Sequence, residues 1–410
     1  MLFFVTVPRQ LFDGGLDRAS LAVDGVLALL VVATGLVSWL VTRWRVDGAE
    51  LQVETGLLRR QSIRVPLVRI QAVDVVRPLA ARLLGLSELR LVLAGGGTGK
   101  AHLAFLPAAT AQQVRLQLLA VASGGVVTGE RPAADTTLAV VPAGRLVASV
   151  LLSGVPALAV TGAVLLGVLT VTEPGSVGPV AGAGATLLLG SGAALLRRLN
   201  VEWGFTVGAG AAGLHLRSGL LQTRAETVPP GRVQGVRLVE PFLWRPFGWC
   251  RLEIDVAQQR EREVGEEDVA ELTRALLPVG SRADAELLIA QVLPGASSCA
   301  PPDSAPPRRA RSKAPLSYRH LAAWHDGHHL MARTGRLQVE TVVVPLSKVQ
   351  SVRWSQGPVQ RRWQLATVHV DTAGRRWRAT ARDRSVADAD ALLAELPVLA
   401  RRARRPDLQE

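Results

Sequence analysis

The chain alternates long uncharged segments with polar regions in which apolar residues recur at every second position. Residues 146–171 and 177–196 contain no charged residue, so each segment is long enough to cross about 30 Å of hydrocarbon as a helix. The connection at 172–176 includes a proline and a glycine, which are typical of a turn between antiparallel helices. The pattern therefore predicts a transmembrane hairpin over 146–171 and 177–196.

A further uncharged segment lies near the start of the sequence. Residues 25–42 carry no charge and lead into Arg43, Trp44 and Arg45, an aromatic and basic boundary of the kind found where a helix leaves the bilayer. We therefore predict a transmembrane helix over residues 21–42. Residues 1–20 are predicted to hold the remnant of a first membrane helix and a polar turn, which leaves open whether the true start lies upstream.

The positive charges indicate the orientation of the chain. Its formal net charge is +13, and arginine supplies nearly all of it. Arg145 precedes the predicted hairpin and Arg197 and Arg198 follow it, whereas the connecting loop has no basic residue. Because cytoplasmic loops carry the excess of basic residues, the sequence predicts a multi-pass membrane protein whose large polar regions face the cytoplasm.

Three polar regions repeat one another without gaps. The copies run from Gly56 to Ala94, from Gly219 to Ala257 and from Gly335 to Ala373. Such agreement indicates duplication of one domain, a pattern that predicts the fold of the whole chain. The other shared positions are Pro66, Pro229 and Pro345; Arg69, Arg232 and Lys348; Gln71, Gln234 and Gln350; Val73, Val236 and Val352; and Arg82, Arg245 and Arg361.

Each copy has the same predicted order of elements. One strand leads to the shared glycine, a second leads to the shared proline, and further alternating strands follow. The first and third copies end in helical patterns over 108–120 and 385–399, and the second ends in two shorter ones around 267–277 and 283–292. Short antiparallel strands capped by a helix predict an α+β domain, built as a small barrel or sandwich.

The motifs of the first copy resemble the bacterial pleckstrin-homology (bPH) domain. They are Gly-Leu-Leu-Arg-Arg from Gly56, Val-Pro-Leu-Val-Arg-Ile-Gln-Ala-Val-Asp from Val65, and Arg-Leu-Leu-Gly-Leu-Ser-Glu-Leu from Arg82. The likeness is weaker in the third copy, where Gln364 and Leu365 replace the Gly-Leu pair. Together with the spanning helices, these domains make the chain similar to the YdbT-like membrane protein family.

The resemblance implies pairs of membrane helices alternating with PH-like domains in the bacterial cytoplasmic membrane. Each domain is expected to have seven strands closed by a helix and no assigned enzymatic activity. A smaller bPH-domain membrane protein is an expected partner. The PH-like domains are predicted over 43–122, 197–295 and 316–405, with a flexible linker rich in proline and arginine over 296–315.

The sequence predicts no enzyme, no cofactor and no metal site. Residues 94–100 are rich in glycine, but Ala101 follows Lys100 where a phosphate-binding loop needs serine or threonine. The histidines at 325–329 occupy a turn entering a strand, where neighbouring side chains diverge. The sequence contains no residues at catalytic spacing that suggest paired carboxylates, a Ser-His-Asp set or a Cys-His set.

A base and a glutamine shared by the three copies are the candidate recognition residues. On an alternating strand they are expected to face outward, where they either only solvate the sheet or contact a protein or anionic lipid headgroups. The basic runs at 308–313 and 401–405 also suit nucleic acid, but an anionic leaflet is the simpler partner beside membrane helices. The candidates are Arg69, Gln71, Arg232, Gln234, Lys348 and Gln350.

The sequence therefore predicts a non-enzymatic scaffold or binding protein of the cytoplasmic membrane. Its three PH-like domains are expected to bind one another, a protein partner or lipid headgroups. A different class stays open: an accessory component of a membrane transport or export system, or of tolerance to toxic compounds.

Overall fold

A computed structural model describes the chain in part from residue 43 to 114 and almost completely from 136 to 404. The membrane segments expected over 1–20 and 21–42 and the glycine-rich turn at 94–100 lie outside the described residues, as does most of the helix expected over 108–120. Before residue 115 the description covers six strands and a few flanking residues. From 136 to 404 it omits residues 173–176, 211–212, 229–230, 257–274, 302–303 and 375–376.

The chain divides into two compact units, and the first unit contains most of the described strands of the first copy. Strands β1, β2 and β3 form an antiparallel sheet in that order, and β5 pairs with β6 as a hairpin. The segment Asp74–Arg82 belongs to the second unit. The strands are β1 (Arg43–Asp47), β2 (Glu50–Thr55), β3 (Gln61–Pro66), β4 (Ile70–Arg77), β5 (Leu86–Leu93) and β6 (Ala101–Pro107).

In the second unit, the described residues of the second copy form seven strands, a 3-10 helix and a closing helix. The strands β7 to β10 pair consecutively, as do β11 to β13. Both sheets contribute to one core, which also holds Trp244 and the helix α4. The elements are β7 (Thr136–Val140), β8 (Thr206–Gly210), β9 (Gly213–Ser218), β10 (Thr223–Val228), β11 (Val233–Pro241), a 3-10 helix (Phe242–Phe247), β12 (Trp249–Val256), β13 (Ala275–Ser281) and α4 (Arg282–Val292).

The third copy repeats this arrangement with six strands and a longer closing helix, α7. Pairs β14–β15 and β15–β16 form one sheet, and β17–β18 and β18–β19 form another. Apolar residues of both sheets and α7 make a separate core. The elements are the 3-10 helix Tyr318–His320, β14 (Ala322–His325), β15 (His329–Gly335), β16 (Gln338–Pro345), the 3-10 helix Leu346–Lys348, β17 (Val349–Ser355), α6 (Pro358–Arg362), β18 (Leu365–Thr372), β19 (Ala379–Ser385) and α7 (Val386–Ala403).

The two closing helices begin at equivalent polar caps. The Ser281 hydroxyl accepts a hydrogen bond from the Asp284 backbone N–H at 3.1 Å, and Ser385 accepts one from Asp388 at 3.0 Å. Each aspartate side chain accepts in turn from the backbone of the serine, so both helices start in capping boxes. The helix predicted over 385–399 is thereby confirmed, whereas the helical stretch predicted around 267–277 is wrong at its end, where Ala275–Leu277 lie in β13.

The apolar hairpin predicted over 146–171 and 177–196 consists of three helices in the structure, α1 (Ala143–Leu151), α2 (Gly154–Thr172) and α3 (Val177–Glu202). Of these, α1 packs on the core of the second copy through Leu146, and its Val150 is also buried. By length and composition, one stretch among the described residues, 143–172, is apolar enough to cross a membrane. Most large apolar side chains described in α2 are exposed.

The linker expected over 296–315 is packed against the third copy and is not a flexible tether. It contains the short helix α5 (Ala310–Lys313), and the Ala310 side chain is fully buried. The Arg384 guanidinium donates to the Ser304 carbonyl at 2.6 Å, and the Lys313 ammonium pairs with Asp383. The flexible-linker prediction was therefore wrong, because proline-rich composition does not show which side chains find partners.

Candidate protein interface

Successive copies of the domain are joined in the second unit by strand pairing. The sheet of the second copy continues into the third in the order β13-β12-β11-β16-β15-β14, with β11 and β16 antiparallel from Val236↔Val343 to Pro241↔Gln338. A segment that the sequence assigns to the first copy pairs in the same way with the second, from Val75↔Ala225 to Arg77↔Thr223. Both junctions use backbone hydrogen bonds, which any two compatible strands can form.

The two junctions have the same register. Counted from the shared glycine of each copy, Val76 and Val239 are both residue 20, and their partners Arg224 and Glu340 are both residue 5. A shift by one residue would turn every side chain to the other face of the sheet. The shared register therefore indicates one docking mode, used twice, in which the strand after the shared proline of one copy receives the strand between the shared glycine and the shared proline of the next.

An arginine fastens each junction. Arg82 donates to the Leu220 carbonyl at 3.2 Å, and Arg245 donates to the carbonyls of Arg336 at 3.1 Å and Leu337 at 3.3 Å. Both arginines occupy the same repeat position, and all three acceptor carbonyls follow the shared glycine of the next copy. Because a guanidinium carries several N–H donors in a rigid plane, it can donate hydrogen bonds to more than one backbone carbonyl of the same turn.

The shared glycines shape the turns that these arginines bind. Gly219 has φ +114° and Gly335 has φ +127°, and a Cβ on either residue would lie 1.9 Å from the carbonyl oxygen of Gln222 or Gln338. Only glycine adopts such a backbone without strain and contact. The repeated glycine therefore allows the tight hairpin that presents its carbonyls to the preceding copy.

The predicted recognition residues are placed differently. Gln234 is buried, so the expectation of an outward side chain is wrong there, and its amide donates to the Arg232 carbonyl at 3.2 Å. Gln350 is exposed. Both glutamines lie where the strand register shifts, between Val233 and Gly235 and between Val349 and Ser351, which marks a β-bulge.

The candidate bases are less exposed than expected. Arg232 and Lys348 are both half-buried, and burial lowers the pKa of Arg232. Gln71 lies in β4, and Arg69 lies outside the described residues. Sequence reasoning missed Arg82 and Arg245 as contact residues, although their repetition in every copy was the available signal.

A chain of ion pairs runs from the end of α3 to the junction between the second and third copies. Its centre is the largely buried Arg251, whose side chain is 11% exposed and whose guanidinium lies 2.5 Å from a Glu202 carboxylate oxygen and 2.9 Å from a Glu253 oxygen. At the junction, Arg237 binds Glu253 at 2.5 Å and Glu340 at 3.4 Å. The Arg237 guanidinium also lies 4.8 Å from the centre of the Trp377 ring. At the other end of the chain of ion pairs, the Arg198 guanidinium lies 3.1 Å from Glu202.

The ion pairs keep these buried groups charged. Burial disfavours the charge of Arg251, but Glu202 and Glu253 outweigh it and raise the pKa of Arg251. Burial likewise opposes ionisation of Glu253, but Arg251 and Arg237 outweigh it and lower the pKa of Glu253. Removal of one partner would leave an uncompensated buried charge, which is strongly destabilising.

A cavity of about 370 Å³ opens beside the end of α3. Arg82 and Arg217 line it together with Trp203 and Leu220, and both arginines are exposed. The side chains of Leu220 and Leu221 are 43% and 49% exposed, and the Leu221 backbone N–H donates to the Asn200 side chain of α3. The cavity thus combines two cations, an aromatic ring and the exposed Leu220 at the end of an apolar helix.

The predicted histidine turn forms polar contacts within the third copy. Asp326 accepts hydrogen bonds from the backbone N–H groups of His328 and His329, and the His329 ring lies 3.1 Å from the Asp326 carboxylate. His325 lies 3.6 Å from Glu395 of α7. In the part of the chain that the structure describes, no group of three or more His, Cys, Asp or Glu side chains could hold a metal ion.

Two sheets closed by a C-terminal helix, repeated along the chain and joined by strand edges, define a PH-like binding module. The model of the bacterial PH domain matches residues 6–122, 143–296 and 281–397, so the chain belongs to the bacterial PH domain family. This confirms the bPH resemblance and the internal repeat. No curated protein matches the chain. The family indicates binding of protein or lipid.

Proposed function

We propose that this chain is a membrane-anchored, non-enzymatic scaffold of the YdbT-like type, whose bPH domains bind protein through strand edges. The repeated junction carries the proposal, because two pairs of copies use the same register and the same arginine. Strand addition of this kind obtains affinity from backbone hydrogen bonds and specificity from side-chain contacts. The predicted export or toxic-compound tolerance role stays a prediction.

The exposed apolar helices support the membrane anchor. Described side chains such as Val160, Val164 and Leu165 of α2 are 60–65% exposed, and apolar surfaces of this extent mark sites that face a membrane or a partner. The two helices contact each other closely, since a Cβ on Gly162 would lie 2.5 Å from the Leu187 side chain. Small residues at such contacts are typical of helix pairs in membranes.

Reporter fusions test this topology. Fusions after Lys100, Arg260 and Arg376 should report the cytoplasm, because the basic residues flanking the helices favour that side. A fusion at Gly175, between α2 and α3, should report the outside. An outside signal at Arg260 or a cytoplasmic one at Gly175 would contradict the proposed anchor.

The cavity beside α3 favours binding of an anionic lipid headgroup as a second function. Its two arginines lie next to exposed leucines at the end of a helix that we propose to cross the membrane, and each base near an anionic surface contributes about 1 kcal/mol. We expect a short-chain anionic phospholipid to raise the melting temperature of the detergent-solubilised chain more than a zwitterionic one.

Arg217→Gln should remove most of that difference, and added salt should weaken it because screening reduces contacts between charges. Arg402→Gln, which changes an exposed arginine of α7 far along the chain, is the matched control. Equal shifts for both lipids, or equal losses in both variants, would contradict headgroup binding at this cavity.

A further inference from the structure

The strand β17 is the third copy's equivalent of the strands that receive the next copy. Within the described part of the chain it pairs with β18 alone and forms the edge of its sheet. The side chains from Gln350 to Ser355 are exposed, except for the half-buried Val352. In contrast, β11 lies between β12 and β16, and most of its side chains are buried.

The arginine of the junction is also exposed in the third copy. Arg361 occupies the repeat position of Arg82 and Arg245, and it lies with its side chain exposed in α6, the helix that follows the edge strand in the chain. Two large apolar side chains near it in the sequence are also exposed: Val359 is 54% exposed and Trp363 is 39% exposed. The third copy therefore displays both parts of a junction, the strand edge and the clamping arginine.

The strand that would fill this edge exists at the other end of the described chain. In both junctions the entering element is the strand that leads from the shared glycine to the shared proline of a copy, and β3 is that strand in the first copy. Within the described residues it pairs with β2 alone and lies at the edge of its sheet. Long uncovered edges are templates for pairing with another chain.

We infer that β17 and Arg361 form an acceptor site for β3 of a second copy of this chain, giving head-to-tail assemblies. The shared register predicts the pairing, with Gln61 opposite Ser355 and Ser62 opposite Trp354. A contact between two different surfaces produces rings or open filaments instead of closed twofold dimers. The inference deepens the proposed scaffold function by naming the partner of its open edge.

The first test is the mass of the detergent-solubilised full chain over a hundredfold range of concentration. The wild type should form species larger than one chain as concentration rises, and Arg361→Gln should weaken association about tenfold, as expected for loss of charge-assisted hydrogen bonds. Arg362→Gln changes the neighbouring exposed arginine and should associate like the wild type. A wild type that stays monomeric, or equal losses in both variants, overturns the inference.

A second test reads the register directly. Opposite residues of antiparallel strands have Cα atoms about 4.5–5.5 Å apart, within the range of a disulfide. In a Cys299→Ser background, Gln61→Cys combined with Ser355→Cys should crosslink chains on oxidation. Gln61→Cys combined with Gln350→Cys should not, because Gln350 lies five residues away along β17, about 17 Å.

Crosslinking in the second pair only would overturn the register. Absence of crosslinks in both pairs would overturn the pairing of β3 with β17. Both results are independent of the reporter fusions, so failure of head-to-tail assembly is distinguishable from failure of the membrane anchor.

Discussion

At the scale of the residue, the repeated positions have different roles that identity alone does not reveal. The glutamines Gln234 and Gln350 lie at bulges, whereas the arginines Arg82 and Arg245 reach into the next copy. The sequence identifies these glutamines and arginines equally well as repeated positions. Selection of the base and glutamine as recognition residues assumed a regular strand, and the bulge changes which side chains face outward.

Replacement of the arginine at the second junction should loosen it. Arg245→Gln removes donors to the carbonyls of Arg336 and Leu337, and we expect a cost of about 1 kcal/mol because the contact is partly exposed. Amides of β11 and β16 should then exchange hydrogen about fivefold faster when measured by mass spectrometry. Arg336→Gln retains the backbone carbonyl and should leave exchange unchanged, and equal effects of the two variants would contradict the clamp.

At the scale of the element, turns and closing helices were predictable where local chemistry decides them. The capping serines and the turn glycines act within a few residues, so the sequence shows them directly. The single helix predicted over 146–171 differs from the structure because α1 has its own amphipathic face, which packs on the core. An uncharged segment shows that a helix can cross a membrane. It does not show whether the first turns of that segment pack on a neighbouring domain instead.

The glycine of the third copy's hairpin should tolerate no side chain. Gly335→Ala would place a Cβ 1.9 Å from the Gln338 carbonyl oxygen at φ +127°, so we expect loss of about 3 kcal/mol of stability. Gly327→Ala is a matched control, because Gly327 has φ +88° but open space around it, and it should cost only about 1 kcal/mol. Chemical denaturation measures the stability lost in each variant. Equal losses would show that backbone strain alone, and not the contact with the Gln338 carbonyl, determines the effect.

At the scale of the whole molecule, the order of domains was predictable and their connections were not. Three bPH domains follow from the repeats, and the family match confirms them. The sheet shared between β11 and β16 depends on backbone hydrogen bonds between distant segments, which leave little trace in composition. The ion pair between Arg251 and Glu202 escaped prediction for the same reason, since 49 residues separate the two side chains in the chain.

Acid should weaken the second unit through Glu253. Because Arg251 and Arg237 outweigh the burial of Glu253 and hold its pKa below the ordinary value of 4.5, its ionisation stabilises the fold above that pH. This stabilisation is lost as the pH falls below 4.5 toward the lower folded pKa. Denaturation at several pH values should show the decline, and Glu253→Gln should flatten that part of the profile; an unchanged profile would exclude Glu253 as its source.

The break between α1 and α2 is only two residues long, Leu152 and Ser153. On one side, the Trp244 indole N–H donates to the Ser149 carbonyl at 3.2 Å and fastens α1 to the second copy. On the other side, α2 begins the apolar hairpin directly after these two residues. The connection is therefore too short for α2 to move independently of α1. If the hairpin lies in a bilayer, a displacement of α2 would be transmitted through α1 to the core of the second copy.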